Sequence, residues 1–203
     1  MKSRRLFLFA FIVAHALSLL TITMLHAANS RLGVATATGS LTRITTASHS
    51  DRDSNYASIN SDGTLIALSR NSDFFHEGMP SEISQLWLYD TTAMTLTRIT
   101  SVTHNANSAP RSPIISADGS TIAFSSHDFL NEGLAIVQSE IWLYDTVAMD
   151  FTKVTTSDIG RENRFPSLSA DGKTVAFQSN ADLLGEGRPT TQYEVWIFNS
   201  STL

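Results

Sequence analysis

No cysteine occurs in the sequence. A disulfide framework, a thiolate metal site and a cysteine nucleophile are therefore all excluded. Basic residues are few as well: 14 Lys and Arg stand against 19 Asp and Glu, and no Lys/Arg run occurs beyond the first five residues. A phosphate backbone demands a basic surface, so nucleic acid is not an expected partner. Catalytic signatures are missing too. There is no G-x-S-x-G, H-E-x-x-H, phosphate-binding loop or dinucleotide fingerprint, and no serine sits in a recognisable nucleophile context. No catalytic or cofactor-binding residue is assigned.

What is present begins with a leader. Lys2, Arg4 and Arg5 precede the apolar run LFLFAFIVAHALSLLTITML, and Ala27 and Ala28 follow in HAANS. A basic start, an apolar stretch and small residues before a cut describe a secretory signal peptide over residues 1–28. The stretch is also about long enough to cross a bilayer, so an uncleaved N-terminal anchor is the rival expectation. His15, Ser18, Thr21 and Thr23 interrupt it. Under both readings residues 29–203 are exported, to the periplasm or beyond the cell, and meet a membrane only through a retained N-terminal segment. Losing the three leader cations leaves 11 basic against 19 acidic residues. About 170 residues suffice to build a core without cross-links.

The main signal is an internal repeat. LTRIT at Leu41–Thr45 returns at Leu96–Thr100 and, as FTKVT, at Phe151–Thr155, each step being 55 residues. QLWLYD (Gln85–Asp90), EIWLYD (Glu140–Asp145) and EVWIFN (Glu194–Asn199) place Trp87, Trp142 and Trp196 at spacings of 55 and 54. NSDGTLIAL from Asn60 recurs as SADGSTIAF from Ser116 and SADGKTVAF from Ser169.

Each unit predicts four short strands. YASIN, RSPII and RFPSL lead into Asp62-Gly63, Asp118-Gly119 and Asp171-Gly172. Asp-Gly between apolar runs predicts a hairpin of type I′, with positive φ at both central residues. LIALS, TIAFSS and TVAFQS follow as second strands, with Ala67, Ala123 and Ala176 at mid-strand, where a small side chain permits close approach. The tryptophan phrase is the third strand. It is apolar on both faces, so both faces need cover. The fourth, LTRIT, is Thr-rich with Arg43, Arg98 or Lys153 at its centre, a cation that guards an exposed sheet edge. Pro113 and Pro166 open first strands, where a missing N–H is tolerated on an edge. Tandem four-stranded antiparallel sheets with two apolar faces predict an all-β chain of β-propeller blades. A β-sandwich with an incidental repeat is the alternative. The blades fall at about 47–100, 101–155 and 156–203, with a partial blade at 32–46 and an incomplete ring.

PSLSADGKTVAFQS (Pro166–Ser179), SEIWLYD and LTRIT resemble the TolB-type, WD40-like β-propeller repeat of bacterial envelope and secreted proteins, over about residues 32–203. TolB's N-terminal α/β domain has no counterpart, so the likeness is to the propeller and not to TolB itself. The first unit departs from the pattern at Ala57 and Leu68. Such blades occur in scaffolds, receptors and enzymes alike, so the resemblance specifies fold better than function.

Two sets of polar residues recur with the repeat. His49 and His104 lie one period apart, with Ile159 at the third position, and read as solvated loop residues. SDFFHEG, HDFLNEG and ADLLGEG carry the pairs Asp73/Glu77, Asp128/Glu132 and Asp182/Glu186. Oxygen ligands on a loop suit Ca²⁺, which needs six to eight of them. The apolar pairs inside each loop instead suggest a segment tucked under its blade. No cofactor is required, with Ca²⁺ at those six carboxylates as the alternative.

LGVAT at 32–36 reads as a degraded third strand, and Leu41–Thr45 as a fourth strand with no first or second before it. The third unit has no fourth. Propellers typically have four to eight blades. Two copies forming a six-bladed ring, or a piece of a longer propeller, are the two expectations. The expected function is a non-catalytic binding or scaffold module for a protein or carbohydrate partner. An enzyme-associated propeller, either polysaccharide lyase-like or a peptidase gating domain, is the alternative, with a truncated fragment as a third.

Overall fold

The computed structural model describes residues 39–45, 54–70, 83–102, 109–127, 138–187 and 192–200. The chain divides into two compact units, Met1–Ile44 and Thr45–Leu203. Of the first, residues 39–44 are described; they are exposed and form no strand, although the repeat predicts a fourth strand at Leu41–Thr45. A fourth strand arises by folding back on the third strand of its own unit. Among the described residues no third strand precedes this one. The leader, LGVAT, His49 and His104 lie outside the described residues.

The second unit is all-β. Strands β1 (Ser54–Ile59), β2 (Leu65–Arg70), β3 (Gln85–Asp90) and β4 (Thr95–Arg98) form one antiparallel sheet in sequence order. The next sheet repeats it with β5 (Arg111–Ile115), β6 (Thr121–Ser126), β7 (Glu140–Asp145) and β8 (Asp150–Lys153). The last has three strands, β9 (Asn163–Leu168), β10 (Thr174–Ser179) and β11 (Glu194–Asn199). Among the described residues this sheet has no fourth strand. Register is shared between the sheets: Ala67 faces Leu88, Ala123 faces Leu143, and Ala176 faces Ile197.

The Asp-Gly hairpins differ from the predicted type. Gly63, Gly119 and Gly172 have φ of +76°, +79° and +70°, whereas their aspartates stay out of the left-handed region. Gly63 N donates to Asn60 O at 3.3 Å, closing a four-residue turn that ends in a left-handed glycine. The reason lies in the side chains. Asp118 Oδ1 accepts from Ser120 N (3.0 Å) and from the Ser116 hydroxyl (2.6 Å), which itself accepts from Thr121 N (3.0 Å). Asp171 and Ser169 repeat this, and Asp62 and Asn60 do so with an amide. These bonds hold the aspartate beside the next two residues, so a longer turn than type I′ is the stable one. They also hold all three carboxyls below the usual carboxylate range, led by the hydroxyls of Thr64 (on Asp62), Ser116 (on Asp118) and Ser169 (on Asp171).

Successive sheets stack through opposite faces. Ala67 and Leu86 of the first pack on Ile115, Ile122, Phe124 and Trp142 of the second. Ala123, Ile141 and Leu143 of the second pack on Val175 and Phe177 of the third. Thus β7 buries Trp142 on one side and Ile141 with Leu143 on the other, which is why the strand is apolar throughout. Burying an aliphatic side chain of this size contributes about 1.5–3 kcal/mol. Backbone bonds stitch the turns together: Ser61 N donates to Ala117 O (3.0 Å) and Ala117 N to Ala170 O (2.9 Å).

The fourth strands are fixed by two devices. Arg98 and Lys153 pair across strands with Trp87 and Trp142 and lie 6.0 and 5.4 Å from the ring centroids, so the predicted edge cations also make cation–π contacts. The first residue of each tryptophan phrase is a latch. Buried Gln85 accepts from Val102 N (2.9 Å) and the Thr100 hydroxyl (3.0 Å), and donates to Val102 O (2.7 Å). Buried Glu140 accepts from the Thr155 hydroxyl, from Ser157 N (2.8 Å) and hydroxyl (2.9 Å), and from the Asn163 amide (3.0 Å). The closing Thr of LTRIT thus anchors the chain after strand four.

Candidate functional site

The first strands β1, β5 and β9 of successive sheets lie against one another, so they form the inner layer, and β4 and β8 the outer. Each inner strand is bulged. The register slips between Asn55 and Ala57, between Arg111 and Ile114, and opposite Ala176–Gln178 in the third sheet. At each bulge one non-glycine residue turns left-handed: Tyr56 (φ +52°), Ser112 (+50°) and Phe165 (+53°). Such a conformation costs about 1–3 kcal/mol and must be imposed by its surroundings. Pro113 and Pro166 follow directly and are buried. A bulge of this kind re-aims a side chain off the sheet.

These bulges border a cavity of about 180 Å³, which is lined chiefly by Tyr56, Arg111, Ser112, His127, Arg164 and Phe165. Tyr56 and Phe165 are 56% and 55% exposed. Several lining groups are already engaged within the protein. The Ser125 hydroxyl donates to Arg111 O (3.3 Å), and the Ser139 hydroxyl to Asn163 O (2.9 Å). Glu162 pairs with Arg164 at 3.1 Å and accepts from the Tyr193 hydroxyl. The Arg164 guanidinium lies 3.8 Å from the Tyr193 ring centroid and 5.3 Å from that of Phe165. Burial, together with the bond to and charge of Glu162, raises the Tyr193 phenol above its usual range. Arg111 is exposed, and among the described residues its guanidinium has no acceptor.

Repeated sheets with this inner bulge, stacked face to face in sequence order, decide the architecture. The chain is built of β-propeller blades. Among solved structures, one of two prolyl endopeptidases is similar over 74% of this chain and 21% of its own, at 12% identity and a TM-score of 0.50. A TolB from Agrobacterium tumefaciens is similar over 72% of this chain and 46% of its own, at 19% identity and a TM-score of 0.48. The β-propeller domain of the Trilobed protease from Pyrococcus furiosus is similar over 74% and 40%, at 18% identity and a TM-score of 0.49. The chain spans less than half the length of each of these structures. No protein-family model matches the sequence, and no curated protein matches it. At such identities the likeness concerns the propeller fold alone.

Of the six carboxylates singled out from the sequence, Asp182 and Glu186 are described. Asp73, Glu77, Asp128 and Glu132 lie outside the described residues. Asp182 Oδ1 accepts from Glu186 N (3.0 Å) and Oδ2 from Gly187 N (2.7 Å), so this carboxylate closes its own loop. Leu183 packs against the core below, whereas Leu184 is 70% exposed. Among the described residues no three His, Asp or Glu side chains converge. The cavity was not foreseen from the sequence. Its signal is a column of the repeat: Asn55-Tyr56, Arg111-Ser112 and Arg164-Phe165 vary in chemistry beside positions that hardly change.

Proposed function

We propose that the chain is an exported, non-catalytic binding or scaffold module that engages a protein or carbohydrate partner at the inner-strand cavity. The supporting observation is the state of the lining. The Ser125 and Ser139 hydroxyls and the Glu162 carboxylate are engaged within the protein, while a guanidinium and two aromatic rings remain outward. The guanidinium and rings hold a ligand rather than move its protons, and the lining His127 is itself engaged within the protein. The test is a binding screen of the full chain against peptide and oligosaccharide panels, with Phe165→Ala beside the wild type. Ligands whose binding weakens at least about tenfold in the variant support the reading; ligands unaffected by it, or consumed during the assay, overturn it. The binding needs no metal, so EDTA leaves it unchanged. Fractionation that finds the chain in the cytoplasm overturns export.

A second copy is proposed as a neighbour of the third blade. Val195 and Ile197 are 80% and 74% exposed, whereas their counterparts Ile141 and Leu143 are 0% and 7% exposed beneath the next blade. Two copies would supply the six blades of a ring. Light scattering at twice the chain mass, reduced to the chain mass by Val195→Glu, supports this; a wild-type monomer overturns it.

A further inference from the structure

The structure assigns the cavity a ligand class: we infer that it takes a carboxylate carried next to an aromatic side chain, as at the C-terminus of a peptide ending in Phe or Tyr. This rests on the proposed binding role of the cavity. Three features carry it. Of the two cavity guanidiniums, Arg164 is committed to Glu162 and stacked on Tyr193, so its charge is largely answered. Arg111 has no acceptor among the described residues, and it is the group left to bind an anion. A guanidinium presents paired N–H donors that match a carboxylate.

The second feature is the pair of exposed rings. Tyr56 comes from the first blade and Phe165 from the third, while Arg111 and Ser112 come from the second, so three blades converge on one ligand. Both rings are held out by left-handed backbone that an extended strand would avoid. Aromatic rings kept more than half exposed offer flat apolar surface to another flat group. The third feature is the commitment of the serines. Ser125 and Ser139, two of the four lining serines, spend their hydrogens on backbone carbonyls, which removes two donors that a polyhydroxylated ring would use and favours the peptide terminus over a sugar acid. A cavity of about 180 Å³ admits a group the size of one side chain with its carboxylate.

The test uses the ¹⁵N-labelled full chain and three probes: N-acetyl-phenylalanine, its carboxamide N-acetyl-phenylalaninamide, and glucuronate. The carboxylate probe is expected to shift the Arg111 Nε–H signal and the amides of Tyr56, Ser112 and Phe165. The carboxamide should bind about tenfold more weakly, the difference expected for one charge-assisted contact. Arg111→Gln should remove that preference and Arg111→Lys restore part of it, while Arg98→Gln, on an outer strand, leaves it intact. The dispersion of the variant spectra reports folding. Equal binding of acid and amide, or shifts confined to other residues, overturns the assignment. Glucuronate bound more tightly at the same amides overturns the peptide class yet keeps the cavity as the binding site, which separates this inference from the functional reading beneath it.

Discussion

Replacing the turn glycines by alanine one at a time measures how tightly the blades press together. Gly63, Gly119 and Gly172 share a left-handed φ of +70° to +79°, so each pays the same backbone strain on gaining a Cβ. That strain is about 1–2 kcal/mol, offset in part by the smaller entropy of unfolded alanine, about 0.4–1 kcal/mol. They differ in what the Cβ meets. At Gly63 the nearest atom is Ile59 Cδ1 at 3.9 Å, an ordinary contact within the same blade. At Gly119 it is Leu65 Cδ1 of the preceding blade at 2.7 Å, the end of a side chain that can swing aside. At Gly172 it is Thr121 of the preceding blade, with Oγ1 at 2.6 Å and Cβ at 2.9 Å, and a Cβ moves only with its backbone. Overpacking of this kind adds about 1–3 kcal/mol. The expected costs are therefore about 1 kcal/mol for Gly63→Ala, about 2 for Gly119→Ala and about 3 for Gly172→Ala. Urea unfolding followed by tryptophan fluorescence reads them, and each kcal/mol lowers Tm by about 2–4 °C in a chain of this size. Three equal costs, or the largest at Gly63, would refute the stacking geometry.

Other outcomes follow from the latch, the turns and the outer strands. Glu140→Ala leaves donors of Thr155, Ser157 and Asn163 without their acceptor and should cost about 3 kcal/mol, whereas Glu140→Gln, which imitates Gln85, should cost about 1; chemical denaturation distinguishes the two. Asp62, Asp118 and Asp171 titrate below 3.8 when folded, so their stabilisation is complete above that value and is lost as pH falls through the folded pKa. The urea midpoint should accordingly drop on acidification below about pH 4, and less steeply in Asp118→Asn. Lys153→Gln removes the cation over Trp142 and should cost about 0.5–1 kcal/mol, with a change in tryptophan emission; an unchanged midpoint would show the contact to be idle.

Much of the fold was legible because a blade is written in local rules. Alternation, the Asp-Gly turns and the doubly apolar tryptophan strand each depend on residues close in sequence, and the repeat states them several times. The turn type departs from the local rule because it depends on side-chain bonds: Ser116 and Ser169 reach two residues forward and fix the aspartate. The role of Glu140 was also hidden, since its partners Thr155, Ser157 and Asn163 stand 15 to 23 residues away and meet it only after strand four has folded back. The cavity was the least legible part. Tyr56, Arg111 and Phe165 belong to three different blades, and no window of sequence contains them.

By itself the sequence determined the blade: which strands form, in what order, and that both faces of each sheet must be covered. Periodicity carries that information, because burial of alternate side chains is a property of each strand. Tertiary structure alone decided which face meets which neighbour, where the inner strands bulge, and which charged groups find partners. Those outcomes depend on contacts between blades, where a left-handed residue or a buried carboxylate is stable only if the adjoining sheet supplies its cover. Arg111 and Arg164 occupy the same column of the repeat and differ in role for this reason: Glu162 and Tyr193 converge on one and not on the other.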